Sequence, residues 1–236
     1  MSLKEKIHFI HANGFPPDSY NSLFENINYN TTIQNFDLID LKYLKIKNWT
    51  KFHTDFIKSL DLNQKIIGIG HSIGGNIILR SSIANPEYFS KIILLDPTLF
   101  IPRIILMWKI ALYLNIHNYI HPWVKATLKR KMHYRNYNAM YKSYRGKEVF
   151  KKIDDKNLSI YIKSLTKKNN DGSVNIIYPK ELEHHIYKTG LLADSYIWNN
   201  IRYLKTPTLI IRSKLSNNFL PSAAKKISNL NQNLKI

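Results

Sequence analysis

The amino-acid sequence predicts an α/β protein with a mostly parallel sheet and flanking helices. Two observations carry this prediction. Short apolar runs typical of buried parallel strands alternate with helix-forming stretches as far as Asp96. A strand-like run then returns at Thr208–Ile211, after a long interruption. The chain is long enough for one sizeable core, and 44% of its residues are hydrophobic, which indicates a folded globular protein.

The elements of the first 96 residues follow from local pattern. Short apolar or β-branched runs predict strands at 6–10, 32–39, 65–70 and 91–95. Helices are expected at 19–28, 50–60 and 73–84. The second of these helices places Phe52, Phe56 and Leu60 on one face, and the third ends before Pro86.

The alternation of strands and helices breaks after Asp96. Residues 97–205 are helical in pattern, aromatic and basic, with no clear parallel strand. We therefore expect a helical cap, or lid, inserted after the strand ending at Leu95 and lying over the carboxyl ends of the strands. Residues 1–96 and 206–236 are expected to form the core, with a helix at 222–230 and the opening of one more strand at 233–236.

One motif carries chemistry. Gly70, Ser72 and Gly74 form a Gly-x-Ser-x-Gly pattern between an expected strand and an expected helix. On such a sharp turn the neighbours of the serine must be small, and the turn lifts the hydroxyl clear of the sheet. The helix N-terminus beside it favours developing negative charge. Ser72 is therefore the predicted nucleophile.

The loop after the first strand fits the same chemistry. Acyl transfer needs two backbone N–H donors for the oxyanion. Ile73 follows the nucleophile and supplies one donor. The second is expected from the loop at 11–15, where Asn13 is our choice and Ala12 or Gly14 are the alternatives. His11 is expected to brace this loop rather than act as a base.

Together these features resemble the α/β-hydrolase superfamily, and more narrowly its capped serine hydrolases. The resemblance runs through residues 11–16, 70–75, 94–97 and 206–220, and the stretch 171–187 is similar to the cap of bacterial hydrolases of this type. It implies the α/β-hydrolase fold and a serine hydrolase that acts through an acyl-enzyme. The expected substrate has an ester or related acyl bond and is small and mostly apolar. No metal and no other cofactor is implied.

The catalytic acid departs from the family pattern. The family usually places its acid after the strand at 208–211, but Asn217 stands where Asp is expected and the loop at 212–218 holds no carboxylate. Some members carry the acid at the end of the preceding sheet strand, which is the position of Asp96. A turn-forming role is the competing interpretation of Asp96.

The catalytic histidine departs further. In the family it follows a last strand that this sequence only begins, so the resemblance implies a chain truncated before that strand and its base. His71 normally points away from the reaction, and His184 and His185 are expected on a helix surface. The alternative hypothesis is therefore an inactive or truncated α/β-hydrolase fragment, possibly a binding protein.

Charge and composition limit the classes of binding partner that the sequence predicts. Lys and Arg number 35 against 16 Asp and Glu, which gives a net charge of +19. We interpret this as a solvated basic surface and expect no specific nucleic acid, because no nucleic-acid motif accompanies the charge. The cluster at 125–131 favours, as alternatives, an anionic substrate or a lipid surface. The apolar helix at 104–116 is predicted either to cover an acyl pocket or to pack on the core.

The expected partner is thus a small acyl substrate. The sequence has no cysteine, no apolar leader at its start and no apolar run long enough to span a membrane. These observations predict a cytoplasmic protein and leave its oligomeric state open.

Overall fold

The computed structural model describes residues 5–25, 27, 31–47, 49–61 and 63–236. Its centre is a parallel six-stranded sheet with the strand order β2-β1-β3-β4-β8-β9. A second, antiparallel sheet has the order β5-β7-β6. The nine strands of the described residues are β1 Glu5–Ile10, β2 Thr31–Phe36, β3 Ile66–His71, β4 Phe89–Leu95, β5 His133–Tyr134, β6 Thr166–Lys168, β7 Val174–Ile176, β8 Thr208–Ile211 and β9 Leu234–Lys235.

Eleven α-helices accompany these strands in the described ranges: α1 Asn21–Phe24, α2 Thr50–Ser59, α3 Ile73–Ala84, α4 Pro102–Tyr113, α5 His117–Ile120, α6 Pro122–Leu128, α7 Tyr137–Arg145, α8 Asp155–Leu165, α9 Lys180–Gly190, α10 Asp194–Asn200 and α11 Pro221–Leu230. Short 3₁₀ turns occur at Pro17–Tyr20, Leu41–Lys45, Pro86–Tyr88, Glu148–Phe150 and Ile201–Tyr203. Within the same ranges, no helix has the length and apolarity needed to cross a membrane.

The α/β fold class predicted from the sequence is confirmed. Helix α3 and strand β8 have the predicted bounds, and β9 lies where the opening of a further strand was expected. The helix expected at 19–28 differs. A 3₁₀ turn and the four-residue α1 occupy its first part, and positions 26 and 28 lie outside the described residues.

Hydrophobic side chains cover both faces of the sheet. On one face, Phe52 and Phe56 of α2 and Ile77 of α3 join a large buried cluster with Ile66 and Leu94. On the other face, a smaller cluster packs Phe9 and Ile69 against side chains near α1. Burial from both sides explains why β3 reads as an uninterrupted apolar run rather than an alternating one.

The chain leaves the main sheet after β4 and returns at β8, which pairs directly with β4 from Ile92↔Thr208 to Leu95↔Ile211. We call residues 97–205 the inserted segment. It contains helices α4 to α10 and the small antiparallel sheet, with a core of its own around Tyr144, Leu158 and Leu165. Only helices were predicted here from the sequence, because strands of two or three residues are too short to show a period.

Helix α9 joins the inserted segment to the core. Trp49 Nε1 donates to Thr189 Oγ1 at 3.1 Å, and the His185 ring lies 2.7 Å from the carbonyl oxygen of Ile46. Asn13 Nδ2 donates to the carbonyl of Glu183 at 3.0 Å. The loop after β1 is therefore hydrogen-bonded to α9.

Candidate active site

Ser72 occupies the turn between β3 and α3 with a backbone that non-glycine residues rarely adopt. Its φ is 54° and its ψ is −114°. Hydrogen bonds to both backbone groups of Ser72 fix this strained conformation. Ser72 N–H donates to Leu95 O at 3.0 Å, and Ser72 O accepts from Thr98 N–H at 2.9 Å. Residues kept in such conformations by their surroundings cluster at functional sites. The predicted nucleophile thus lies on a sharp strand-to-helix turn.

Two glycines make this turn possible. A Cβ on Gly74 would overlap the carbonyl oxygen of Ile10, and it would lie 2.9 Å from that of His11. A Cβ on Gly70 would overlap the backbone of Gly74. The start of α3 is therefore pressed against the end of β1, which brings the loop at 11–15 to the nucleophile turn.

The Ser72 hydroxyl has one partner in the described structure. Ser72 Oγ lies 3.1 Å from Thr98 Oγ1, and either hydroxyl can donate. Ser72 is half-buried, whereas Thr98 is buried. Thr98 was not among the site residues predicted from the sequence. The available signal was its place just after Asp96 and Pro97, at the end of a predicted central strand.

The side chain of Asn13 fixes the loop after β1. Its Nδ2 binds the Glu183 carbonyl, and its Oδ1 accepts from the Tyr178 hydroxyl at 3.0 Å. The backbone N–H of Asn13 makes no hydrogen bond to any described residue. The N–H of Ile73 opens α3 and has no intrahelical acceptor. Both predicted oxyanion donors are therefore left unpaired within the described chain.

Both ring nitrogens of His11 are hydrogen-bonded to backbone groups. Its Nδ1 donates to Ala12 O at 2.8 Å, and its Nε2 accepts from Leu38 N–H at 3.0 Å. The ring is fully buried. It joins the loops that follow β1 and β2, which is the bracing contact expected of it.

His71 is tied to the same loop through Tyr20. The Tyr20 hydroxyl accepts from Ala12 N–H at 3.1 Å, so its proton is donated to His71 Nδ1 at 2.7 Å. Burial lowers the pKa of His71 to about 4, against the opposing effect of the Asp96 carboxylate. A neutral ring with so low a pKa is a weak base at neutral pH.

Asp96 ends β4 in a left-handed conformation, with φ of 41°. Its N–H donates to Ile211 O at 2.8 Å, and its Oδ1 accepts from Ser213 N–H at 3.1 Å. The carboxylate is therefore hydrogen-bonded to the loop after β8, the loop in which the family acid was expected. Asn217, in the same loop, is exposed.

All nine histidines lie in the described ranges, and none is hydrogen-bonded to Ser72. His184 and His185 are half-buried rather than on the surface, because each binds a backbone carbonyl, Val124 O and Ile46 O, at 2.7 Å.

The described side chains include no group of three or more His, Asp or Glu placed to hold a metal.

A buried carboxyl that the sequence analysis missed links α3 to the inserted segment. Asp194 is fully buried, and it accepts from Asn76 Nδ2 at 2.5 Å and from Phe100 N–H at 2.6 Å. Burial raises the pKa of Asp194 well above its usual value. Asn76 Nδ2 also donates to Thr98 O at 2.8 Å, so this contact reaches the residue that holds the Ser72 hydroxyl. The signal in the sequence was an acid directly after the apolar run at 191–193.

A second buried charge supports the loop after β1. Glu183 forms an ion pair with Arg130, and both side chains are almost completely buried. A Cβ on Gly14 would lie 3.0 Å from Glu183 Oε1, so the carboxylate packs directly on the loop. Burial raises the pKa of Glu183, while Arg130 opposes that rise.

The parallel sheet and the strained serine turn together define an α/β-hydrolase. The sequence model of the family described as serine aminopeptidase, S33, matches residues 44–229, and the chain belongs to that family. By sequence, no curated protein matches it.

Solved structures of several other proteins share the fold, among them a hydrolase and a thioesterase domain. An E-2-(acetamidomethylene)succinate hydrolase superimposes with a TM-score of 0.73 at 18% identity, over 96% of this chain and 79% of that one. MenH from S. aureus gives 0.69 at 16% identity, over 100% and 84% of the two chains. A thioesterase domain from the curacin biosynthetic pathway gives 0.70 at 13% identity, over 98% and 82%.

Proposed function

We propose that this chain is a serine hydrolase acting on an ester or related acyl bond of a small, mostly apolar substrate. The observation that carries the proposal is the strained backbone of Ser72 at the N-terminus of α3. The thioesterase domain among the structural relatives supports acyl chemistry. The absence of cysteine fits a cytoplasmic enzyme.

In the proposed reaction, Ser72 Oγ attacks the acyl carbon and loses its proton to the leaving group, which departs to give an acyl-enzyme. Water then releases the acid and restores the serine. The N–H groups of Asn13 and Ile73 hold the oxyanion of each tetrahedral intermediate. Asp96 is proposed as the acidic member of the catalytic residues, because its carboxylate is hydrogen-bonded to the loop after β8. Residues 97–205 are the proposed cap, with residues 1–96 and 206–236 as the core.

An alternative function is a binding protein that keeps the fold without catalysis. The observation that favours it is the Ser72 hydroxyl, whose partner is Thr98 rather than a histidine. A serine hydroxyl without a base is a weak nucleophile at neutral pH. Loss of one member of a catalytic triad lowers the rate by roughly 10⁴- to 10⁶-fold.

A fluorophosphonate probe tests the proposal directly. We expect covalent labelling of Ser72 that is abolished in Ser72→Ala and unchanged in Ser228→Ala, since Ser228 is exposed on α11. Asp96→Asn should slow the labelling if Asp96 is the acid. Hydrolysis of p-nitrophenyl esters and thioesters of graded chain length then gives the substrate class. A folded chain that neither labels nor hydrolyses any of them would contradict the hydrolase proposal and favour the fold without catalysis.

A further inference from the structure

Helix α4 is apolar on both of its sides. Its inner side buries Ile105, Trp108 and Ala111 beneath Val124 and Leu191. Its outer side exposes a second apolar stripe with helical spacing, made of Leu106, Met107, Ile110, Tyr113 and Leu114. A helix that is hydrophobic all round is normally buried on all sides. Here the outer stripe is bare in the described structure.

The exposed apolar surface continues into α5 and α6. Tyr119, Ile120, Trp123 and Leu128 are all exposed there. These two short helices pack against α4 through the Trp108 ring, whose centroid lies 6.3 Å from that of His117 and 5.6 Å from that of His121. The outer faces of α4 to α6 thus combine nine large exposed apolar side chains, far more than the scattered single residues of an ordinary surface. We call these nine residues the α4–α6 apolar face.

The stretch of sequence that contains this face carries charge of one sign only. Between Asp96 and Glu148 the sequence contains ten Lys or Arg residues and no Asp or Glu. Those exposed among and beside α4 to α6 are Arg103, Lys109, Lys125, Lys129 and Lys131. Lys125 Nζ lies 5.5 Å above the Tyr119 ring. Apolar side chains, exposed Tyr and Trp, and surrounding cations are the combination found in helices that lie in a membrane interface.

We propose that the α4–α6 apolar face docks on an anionic lipid bilayer. The apolar side chains enter the boundary between headgroups and acyl chains, and the surrounding cations face the lipid phosphates. A second copy of this chain is a poorer occupant. With a net charge of +19 and no Asp or Glu between Asp96 and Glu148, two copies placed face to face would bring the cations of one copy against those of the other.

This docking surface does not depend on the chemistry of Ser72. It is nevertheless close to that site along the chain, because Thr98, which contacts the Ser72 hydroxyl, lies four residues before Pro102, the first residue of α4.

Flotation of the 236-residue chain with lipid vesicles tests the proposal. We expect binding to phosphatidylcholine vesicles that contain phosphatidylglycerol, weakened by salt and by omission of the anionic lipid. The double variant Met107→Gln/Ile110→Gln should lower the partition coefficient by about tenfold or more. Each of Lys125→Gln and Lys129→Gln should lower it about fivefold.

Matched controls lie outside the region. Tyr203→Gln and Leu215→Gln change exposed apolar side chains, and Lys214→Gln and Lys225→Gln change exposed cations. These four substitutions should leave the partition coefficient unchanged.

Tryptophan fluorescence gives a second readout. Of the four tryptophans, Trp123 alone is exposed, at 46%, whereas Trp49, Trp108 and Trp198 are buried. Vesicle binding should shift the emission of Trp123 to shorter wavelength. Trp123→Phe should remove the shift while the chain still floats with the vesicles.

Three results would overturn the proposal. The first is the absence of binding to anionic vesicles. The second is binding that the Met107 and Ile110 substitutions do not weaken, which would point to another basic surface, such as the open groove of about 570 Å³ lined by Lys42, Lys45, Lys47, Lys51 and Lys58. The third is lipid-independent self-association that the same substitutions abolish, which would assign the face to a second copy.

Discussion

Ser72 Oγ and Thr98 Oγ1 lie 3.1 Å apart, so the hydroxyl of the proposed nucleophile is oriented by another hydroxyl. The two residues are also joined through their backbones, because Thr98 N–H donates to Ser72 O. The side-chain contact can therefore be removed while the backbone contact stays.

Thr98→Val removes the hydroxyl and keeps the shape of the side chain. We expect fluorophosphonate labelling of Ser72 to slow about fivefold, the effect of losing one orienting hydrogen bond worth roughly 1 kcal/mol. Thr127→Val is the matched control, since Thr127 is also buried but binds Val124 O away from the turn. Equal labelling of the wild type and Thr98→Val would show that Thr98 does not orient the nucleophile.

Gly74→Ala should destabilise the whole fold. Its Cβ would overlap the Ile10 carbonyl oxygen, and a backbone atom in a central strand cannot move aside. We expect a loss of at least about 3 kcal/mol in the free energy of unfolding, measured by urea denaturation. Gly146→Ala is the control: the nearest heavy atom to its Cβ is 3.7 Å away and its φ is −70°. A similar loss in both variants would contradict this explanation.

Asp194→Ala should loosen the join between α3 and the inserted segment. The substitution leaves Phe100 N–H without its acceptor and removes one acceptor of Asn76. An unpaired buried donor costs roughly 1–3 kcal/mol, so we expect a loss of that size in the free energy of unfolding. Asp18→Ala, at an exposed position, should change it by less than about 0.5 kcal/mol. An equal shift of the thermal unfolding midpoint in both variants would contradict a stabilising role for the Asp194 hydrogen bonds.

The stability of the chain should fall in mild acid because of His71. The unfolded histidine binds a proton near its usual pKa of 6.5, but the folded one resists protonation until about pH 4. Lowering the pH through this window therefore favours the unfolded state, by up to ~3 kcal/mol for this residue.

His71→Gln cannot titrate, and its amide oxygen can still accept from Tyr20. Its free energy of unfolding, measured by urea denaturation at pH 4 to 7, should depend less steeply on pH than that of the wild type. A remaining slope is expected, because burial also lowers the pKa of His53 to about 4. Identical slopes in the two proteins would mean that His71 is not held neutral by its surroundings.

The regular elements near the proposed nucleophile were predictable because their signals are local. Helix α3 begins after a Gly-rich turn and ends before Pro86, and β3 is a continuous apolar run, so each can be recognised in a short window. The fold class followed from their alternation.

The contacts around the site were not predictable in the same way. Thr98 reaches Ser72, Asp194 reaches Asn76 and Tyr20 reaches His71 only after the chain folds, and no local period marks those pairs. The burial of Glu183 was not predictable for a related reason. In sequence it stands among polar helical residues, but in the structure α9 turns that side toward Arg130 and the loop after β1.

The pairing of β4 with β8 has a consequence for biosynthesis. The two strands are neighbours in the sheet, yet the ribosome makes the whole inserted segment between them. At typical elongation rates of 5–20 residues per second, a stretch of roughly a hundred residues takes on the order of 5–20 s. Until β8 emerges, the nascent chain presents the edge of β4 without its neighbour, and such edges template aggregation. The risk of aggregation should therefore be highest during translation, when chaperones that shield nascent strands would have the largest effect.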